Sequence, residues 1–449
     1  MLYIGLKQIK IKSEKNTKGY TPLYGTWQSF FARHIYRRAC DAFNQPISSV
    51  PAGSVQVLDR ESKDNKYTFN FTGKRYNAIN FGSYNYLGFA QNIGCITDRV
   101  NQTIRQYGVG IGSTHHELGK LKIHKQLEQL FARFLGVDSC IMFGMGFATN
   151  TNNIPILAGK GCLILGDQLN HASLKSGSFI SGATYRTFPH NNMCELENII
   201  RDAIVIGDPI TGLKWKKIIL LVEGVYSMEG TICNLPELIC LKKKYKCYLY
   251  VDEAHSIGAI GPNARGVTDF FGCNTEDIDL MMGTLTKSFG ASGGYIAGHK
   301  HIIDYIRINT YSAYATNMSA PVVQQIISVV KILMKQMGGN EGILKVRQLS
   351  ENTRYFRKRL TEMGFIIIGH PESPVIPLML YFPSIAVVAV KNGLKAGIAT
   401  VAAGYPATSL TTTRLRLCMS ASHTREQLDK ALDIISDIGD HCCIKYAKY

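Results

Sequence analysis

The chain has 449 residues, of which 45% are hydrophobic and 18% are charged. This composition is typical of a globular protein and excludes disordered, collagen-like and coiled-coil chains. Lys and Arg number 50 against 33 Asp and Glu, and the resulting net charge of +17 suits a phosphate-rich or anionic partner as well as a merely solubilising surface.

The first 75 residues are predicted to pack with a small domain. Residues 1–20 are expected to form an irregular, basic N-terminal segment (the basic lead), and residues 27–36 have a short helical pattern. Two stretches of alternating polarity, Ser54–Asp59 and Tyr67–Phe71, indicate strands.

Residues 76–335 are predicted to form one large α/β domain. Short apolar runs alternate here with helical periodicity, which is typical of parallel strands covered by helices on both faces. One of the predicted helices is His124–Leu135, which Gly136 ends. The apolar runs are Cys140–Phe143, Cys162–Leu165, Ile218–Val222, Cys247–Val251 and Leu280–Met282.

Residues 336–449 are predicted to form a smaller α+β domain at the C-terminus. A capping box of Thr424 and Gln427 marks the start of its last helix. The predicted elements are a helix at Val346–Met363, strands at Phe365–Ile368 and Val375–Tyr381, and a helix at Arg425–Ile438.

The cysteine pattern and the hydropathy exclude several classes of protein. None of the twelve cysteines forms a CxxC pair, so neither a zinc framework nor a disulfide scaffold is expected. No stretch reaches the roughly 18–20 apolar residues that a membrane-spanning helix needs. We therefore expect membrane association through a partner or a surface patch. The longest basic run, Lys242–Lys244, is too short for a nucleic-acid-binding tail.

The residues that follow the predicted strands point to a binding site. In open parallel sheets, ligands bind at the carboxyl ends of the strands. These ends gather a glycine-rich turn at Gly144–Asn150, His171, Asp252 with His255, and Lys287. Lys287 stands among small residues that leave room for a flat cofactor and supply donors for a phosphate. A lysine, an aspartate for a ring nitrogen and a phosphate cradle are the parts that a pyridoxal phosphate enzyme needs.

Two competing motifs fail on spacing and context. Gly108–Ser113 has the wrong third glycine spacing for a dinucleotide loop and no clear strand before it. Asp252–His255 spells a helicase-like DEAH string, but the GxxxxGK[ST] phosphate loop is missing from the sequence.

His115, His116 and His124 are interpreted as loop and helix-surface residues rather than metal ligands. His423 is interpreted as packing beside the last helix.

Several segments resemble the α-oxoamine synthases, which are fold-type-I pyridoxal phosphate enzymes that condense an amino acid with an acyl-CoA. They are Gly82–Gly88, Phe143–Asn150, Asn170–Ser173, Val251–Ser256 and Gly283–Gly290. Within that family, Val222–Gly230, Thr286–Tyr295 and Tyr405–Thr408 resemble the branch that condenses L-serine with palmitoyl-CoA to 3-ketosphinganine. The implied fold is an α/β transferase with a large, mostly parallel sheet and a smaller C-terminal α+β domain.

The resemblance also assigns roles to residues around the cofactor. Lys287 would hold pyridoxal 5'-phosphate as a Schiff base. Asp252 would bind the pyridine nitrogen and His255 the ring hydroxyl, while His171 would stack on the ring.

The remaining implied roles concern the phosphate and the substrate. The hydroxyls of Thr284 and Thr286 and the amides of Gly146 and Phe147 would hold the phosphate. The substrate-binding residues would be Arg416, for the amino-acid carboxylate, and Tyr84.

The resemblance further implies a heterodimer with a related non-catalytic subunit that lacks the Schiff-base lysine, at the cytosolic face of the endoplasmic reticulum membrane. Thr316 and Asn317 would reach the neighbour's phosphate. His115 stands where relatives carry an Arg, which leaves the contact made by that Arg unassigned. Two alternatives stay open: another amino acid and acyl-CoA pair, and a non-catalytic regulatory subunit.

Overall fold

The structure is a computed structural model that describes residues 19–21 and 30–448. Its strands are β1 Ser54–Glu61, β2 Asn70–Asn80, β3 Ser139–Phe143, β4 Cys162–Asp167, β5 Thr184–Phe188, β6 Lys217–Glu223, β7 Tyr248–Asp252, β8 Leu280–Thr284, β9 Gly294–Gly298, β10 Val375–Tyr381, β11 Ile398–Ala399, β12 Val401–Ala403 and β13 Thr413–Cys418. Its α-helices of five or more residues are α1 Cys95–Tyr107, α2 Lys122–Leu135, α3 Gly146–Leu157, α4 Ala172–Ile180, α5 Met193–Ile206, α6 Leu235–Tyr245, α7 Val267–Phe271, α8 Lys300–Asn309, α9 Ala320–Leu333, α10 Glu341–Glu362, α11 Pro383–Ala396 and α12 Arg425–His441.

A seven-stranded sheet with the order β3-β9-β8-β7-β6-β4-β5 forms the centre of the large domain. The strands from β8 to β5 run parallel to one another, and β9 is antiparallel to both of its neighbours. The inner strands β4, β6 and β8 are almost wholly buried because helices cover both faces of the sheet. The predicted α/β fold with a mostly parallel sheet is confirmed. Four of the five predicted runs lie wholly in strands, and the fifth, Cys247–Val251, begins one residue before β7.

The small domain contains an antiparallel sheet with the order β10-β13-β12. The predicted strand Val375–Tyr381 is confirmed, and the last helix begins with the predicted capping box. The predicted strand at Phe365–Ile368 is wrong. This segment makes only an isolated bridge, Ile367 to Leu378, because it is too short and irregular to add a ladder to the edge of β10.

A second three-stranded sheet, with the order β1-β2-β11, joins the N-terminal part of the chain to the small domain. The predicted strand at Ser54–Asp59 is confirmed, whereas the one at Tyr67–Phe71 begins later and extends to Asn80. Residues 31–42 are helical, while Trp27 and the basic lead up to residue 18 lie outside the described residues. The domain boundaries at residues 75 and 335 stay a prediction.

His124 corrects one interpretation from the sequence. Its side chain is not on the helix surface but 3% exposed, with Nε2 2.7 Å from the carbonyl oxygen of Met318 and Nδ1 accepting from the amide of Leu121. His423 is buried beside the start of α12, as predicted, and bonds the carbonyl of Asn80. In the described part of the chain, no helix has the length and apolarity that crossing a membrane requires.

Candidate active site

The candidate site lies where β6, β7 and β8 end, because parallel strands bring their carboxyl ends to one edge of the sheet. Glu223 ends β6 and Asp252 ends β7, and the two residues are opposite one another in the strand pairing. Lys287 stands in the loop from β8 to β9. The structure therefore brings together the lysine and the aspartate that the sequence singled out.

Lys287 sits on a closely bonded loop. The amide of Leu285 donates to the carbonyl of Gly293 over 2.9 Å, and Ser288 Oγ donates to the carbonyl of Ile257 over 2.8 Å. Gly290 has a positive φ of 57° and lies so close to Ala90 that a Cβ there would approach its nitrogen to 2.6 Å. The backbone that carries Lys287 is thus fixed, and its amine moves only by rotation of its own side chain.

The amine of Lys287 lies 5.5 Å from the centroid of the Tyr84 ring. Desolvation by burial lowers the pKa of Lys287 to about 8, against the opposing attraction of the Asp252 and Glu223 carboxylates. A larger fraction of this amine is therefore neutral near physiological pH than of an ordinary lysine amine.

Asp252 is buried and held in one orientation. Its Oδ2 accepts from Asn150 Nδ2 and its Oδ1 from the amide of Ala254, both over 2.9 Å. Burial raises the pKa of Asp252, and these two hydrogen bonds together with the charge of Lys287 oppose that rise. Such a carboxyl is suited to a cationic partner, because a positive charge nearby stabilises its ionised form.

His255 is buried next to Asp252 and bonded to Tyr86, whose hydroxyl lies 2.8 Å from its Nδ1. Burial lowers the pKa of His255 well below its usual value and raises that of Tyr86. A phenol that keeps its proton can donate it to Nδ1, and a neutral imidazole then carries its own proton on Nε2. This arrangement makes Nε2 of His255 a hydrogen-bond donor.

His171 is exposed and caps the start of α4. Its Nδ1 lies 2.8 Å from Ser173 Oγ, and its backbone amide donates to the buried carboxyl of Glu223. Its ring makes an edge contact with Phe147, with the centroids 6.1 Å apart. The ring is therefore held in one orientation and remains exposed.

A candidate phosphate cradle lies at the start of α3. The helix has no side-chain cap, so the amides of Gly146 and Phe147 have no partner within the helix. Thr284 Oγ1 and Thr286 Oγ1 lie 2.8 Å apart, and a Cβ at Gly146 would come within 2.7 Å of the Thr284 hydroxyl. Free amides and hydroxyls at a helix N-terminus bind phosphate, and only glycine leaves the space open.

Arg416 of β13 faces the site from the small domain. Its guanidinium carbon lies 4.5 Å from the centroid of the Tyr84 ring, and its Nη1 lies 3.8 Å from Met228 Sδ. Its buried Nε has no hydrogen-bond partner. Arg414, two residues earlier, is paired with Glu229 at 3.3 Å. Arg416 therefore has no carboxylate partner, and its Nε remains available to a substrate carboxylate.

Four contacting residues received no role from the sequence. Asn150 and Tyr86 orient Asp252 and His255, Glu223 holds the amide of His171, and Met228 contacts Arg416. Glu223 directly follows the predicted strand Ile218–Val222 and could have been found by the rule that identified Asp252. The contacts of Tyr86 and Met228 span more than 160 residues and leave no local signal.

Thr316 and Asn317 pack against the loop that contains Thr114 and Gly119. Thr316 bridges Thr114, and Asn317 Nδ2 donates to the carbonyl of Gly119 over 3.0 Å. The amide of His115 bonds the carbonyl of Ala315 over 3.3 Å, so His115 belongs to the same loop pair. Among the residues that the structure describes, no group of His, Cys, Asp and Glu is arranged to hold a metal ion.

The sheet topology and the contents of its carboxyl edge define a fold-type-I pyridoxal phosphate enzyme. The lysine, the buried aspartate, the uncapped helix start and an arginine without a carboxylate partner fit that cofactor and an amino-acid substrate. The profile of the family described as aminotransferase class I and II matches residues 76–435.

Known proteins narrow this class. The chain is 50% identical to human serine palmitoyltransferase 3 over 97% of its length and 79% of the relative's. It is 46% identical to serine palmitoyltransferase 2 of Dictyostelium discoideum over 98% of its length and 91% of the relative's. A solved Sphingomonas wittichii serine palmitoyltransferase superposes with a TM-score of 0.79 at 26% identity, covering 90% of this chain and 94% of that one. The chain belongs to the class I and II aminotransferase family, and within it to the serine palmitoyltransferases.

Proposed function

We infer that the chain is a catalytic subunit of serine palmitoyltransferase, a pyridoxal-phosphate-dependent acyltransferase. It condenses L-serine with palmitoyl-CoA to 3-ketosphinganine, and coenzyme A and carbon dioxide leave. The observation that carries this inference is the lysine beside a buried aspartate at the sheet edge, in a chain up to 50% identical to proteins of that name.

The experiment that tests the inference is a substrate panel. The chain is expressed with a related subunit, loaded with pyridoxal phosphate and given L-serine, glycine or alanine with palmitoyl-CoA, acetyl-CoA or succinyl-CoA. Release of 3-ketosphinganine from serine and palmitoyl-CoA alone supports the assignment. Faster turnover of another pair would assign the chain to a different reaction of the family.

The cofactor supplies an electron sink for the pair of electrons that is left when bonds to the serine Cα break. The geometry supports Lys287 as the residue that would hold the cofactor and act as the base at Cα, because its lowered pKa leaves a larger share of the amine neutral than in an ordinary lysine. Asp252 would keep the pyridine nitrogen protonated by favouring its charged form. Nε2 of His255 would donate to the ring hydroxyl, and the His171 ring would lie over the site.

For the phosphate, the amides of Gly146 and Phe147 supply matching donors, and the hydroxyls of Thr284 and Thr286 lie beside them. For the substrate, Arg416 offers an unpartnered Nε to the serine carboxylate, and the Tyr84 ring supports its guanidinium. These contacts would orient serine so that its Cα faces the amine of Lys287.

Attachment of pyridoxal phosphate to the apo chain should depend on pH in one direction. Only the neutral amine attacks an aldehyde, so below the pKa of about 8 the attachment rate should fall roughly tenfold per pH unit, and above it the rate should level off. Stopped-flow absorbance between acid and alkaline buffers measures this rate. A rate that climbs steadily to the pKa of an exposed lysine would contradict the lowered value.

Replacing Arg416 with alanine should raise the KM for L-serine about 10- to 100-fold, the loss expected for one charge-assisted hydrogen bond. Cofactor loading should change little, because Arg416 is proposed to contact the substrate only. Steady-state kinetics with varied serine measure the effect, and Arg416→Lys should recover part of it.

Arg414→Ala is the matched control, since Arg414 lies on the same strand but is paired with Glu229. It should lower thermal stability and leave the KM for serine nearly unchanged. Unaltered serine saturation in Arg416→Ala would show that the carboxylate is held elsewhere.

The partner is proposed to be a related subunit that lacks the Schiff-base lysine. Thr316 and Asn317 are proposed to reach the neighbour's phosphate across the interface. An exposed apolar surface supports an interface on this side of the chain. Helices α4 and α8 and the turn at Tyr311–Tyr314 all contact α3, so their exposed apolar residues lie on one surface. Its exposed residues are Phe179, Ile180, Tyr305, Ile308, Tyr311 and Tyr314. The proposed location is the cytosolic face of the endoplasmic reticulum membrane, reached through the partner or through a surface patch.

A further inference from the structure

A second apolar surface lies at the opposite edge of the sheet from Lys287, where α5 ends and β6 begins. Val205 and Ile206 on the last turn of α5 are 85% and 61% exposed. Ile210 and Leu213 in the following loop are 86% and 68% exposed. These four residues are here called the apolar tip.

The apolar tip is held outward by the loop itself. Both carboxylate oxygens of buried Asp208 accept bonds from the loop, one from the amide of Ile210 over 3.1 Å and one from Thr211 Oγ1 over 3.0 Å. The amide of Asp208 donates to the carbonyl of Leu213 over 2.8 Å, and Trp215 Nε1 donates to the carbonyl of Ala203 over 3.0 Å. A loop closed in this way cannot fold its apolar side chains inward without breaking these bonds.

The flank of the apolar tip is basic. Its exposed cations are Arg201, Lys160, Lys214, Lys216 and Lys217. Lys216 Nζ and Lys217 Nζ donate to the backbone carbonyls of Lys160 and Leu157, which brings the two segments together. Within the part of the chain that the structure describes, no carboxylate forms an ion pair with any of these five cations. Asp202 is the exposed acidic residue on the same helix end, since Asp208 is buried and bonded to the loop.

We propose that the apolar tip and its basic flank form a docking surface for a membrane that contains anionic lipids. Apolar side chains on a protruding loop enter the headgroup region, while unpaired lysines around them bind anionic headgroups. A protein partner fits less well, because the surface is a small exposed tip rather than a flat face and offers five cations that no carboxylate pairs. The inference goes beyond the proposed reaction, since docking at this edge leaves the carboxyl edge of the sheet free.

The test uses the full chain loaded with pyridoxal phosphate and flotation with phosphatidylcholine vesicles, with and without phosphatidylserine. The wild-type chain should bind the anionic vesicles and bind the neutral ones more weakly. Ile210→Ser with Leu213→Ser should lower the partition coefficient about tenfold or more. Lys214→Glu with Lys216→Glu should weaken binding to anionic vesicles and flatten its salt dependence.

The control pair is Ile93→Ser with Leu344→Ser, which removes comparably exposed apolar residues elsewhere, 75% and 59% exposed, and should bind like the wild type. A serine-induced absorbance change in every variant shows that the site is folded, so failure of docking is distinguishable from failure of the proposed reaction. Equal binding by the Ile210 and Leu213 double variant and the wild type would overturn the proposal. Absence of vesicle binding, or equal binding to neutral and anionic vesicles, would also overturn it. If the double variant instead changes only the mass of the protein in sedimentation, the apolar tip is a protein interface and the proposal is wrong.

Discussion

Lys287→Ala is expected to abolish turnover and covalent attachment of the cofactor. The amine is proposed both to hold pyridoxal phosphate and to accept the proton from Cα, so its removal should lower kcat by at least about 10⁴-fold. The mass of the chain after borohydride reduction measures attachment, and product release from serine and palmitoyl-CoA measures turnover.

Lys175→Ala is the control for this experiment. Lys175 lies on α4 near His171 and donates to the carbonyl of Gln168 over 3.0 Å, so its loss removes a nearby cation without touching the proposed attachment point. It should keep the cofactor mass and most of the activity. A Lys287→Ala chain that still carries the reduced cofactor would place the attachment on another residue.

Asp252→Asn is expected to keep the fold, weaken cofactor binding and slow turnover by roughly 10²- to 10³-fold, the cost of removing one preorganised electrostatic group. The neutral amide cannot keep a pyridine nitrogen protonated. In the wild type, Asn150 and the amide of Ala254 both donate to Asp252. The NH₂ group of an asparagine would therefore face one of these two donors, and that hydrogen bond would be lost. Cofactor titration and kcat measure the two effects separately.

Asp167→Asn tests whether neutralising any buried carboxylate at a strand end has the same result. Asp167 ends β4 and is bonded to His190 at 2.9 Å. This variant should lose stability yet respond to serine with the usual absorbance change. Near-normal turnover in Asp252→Asn would mean that another residue faces the ring nitrogen.

The sequence was most informative along the central sheet. Near-continuous apolar runs such as Ile218–Val222 mark buried strands, and parallel strands oblige their following residues to meet at one edge. Lys287, Asp252 and His255 could therefore be grouped without any knowledge of distances. Gly136 likewise ends its helix in the left-handed conformation, with φ at 74°.

Residues whose surroundings come from distant parts of the chain were less predictable. Polar and apolar residues alternate along β13, which is typical of a strand with one exposed face. In the structure Arg414 and Arg416 are both buried, and only Arg414 has a carboxylate partner. His124 has a helical position that fits the surface, yet the carbonyl of Met318, 194 residues later, buries it. Phe365–Ile368 has the composition of a strand but makes only one bridge.

The cluster of acidic groups beneath the site has a consequence for the protein's lifetime. Asp252, Glu223 and Glu253 are all buried, and Lys287 is the amine whose charge acts on the first two. Buried carboxyls destabilise a fold until a cation compensates them, and a ligand that binds only the native chain adds to its stability. Cellular abundance of this protein should therefore follow the supply of vitamin B6, since chains that stay unloaded unfold more often and reach proteases sooner.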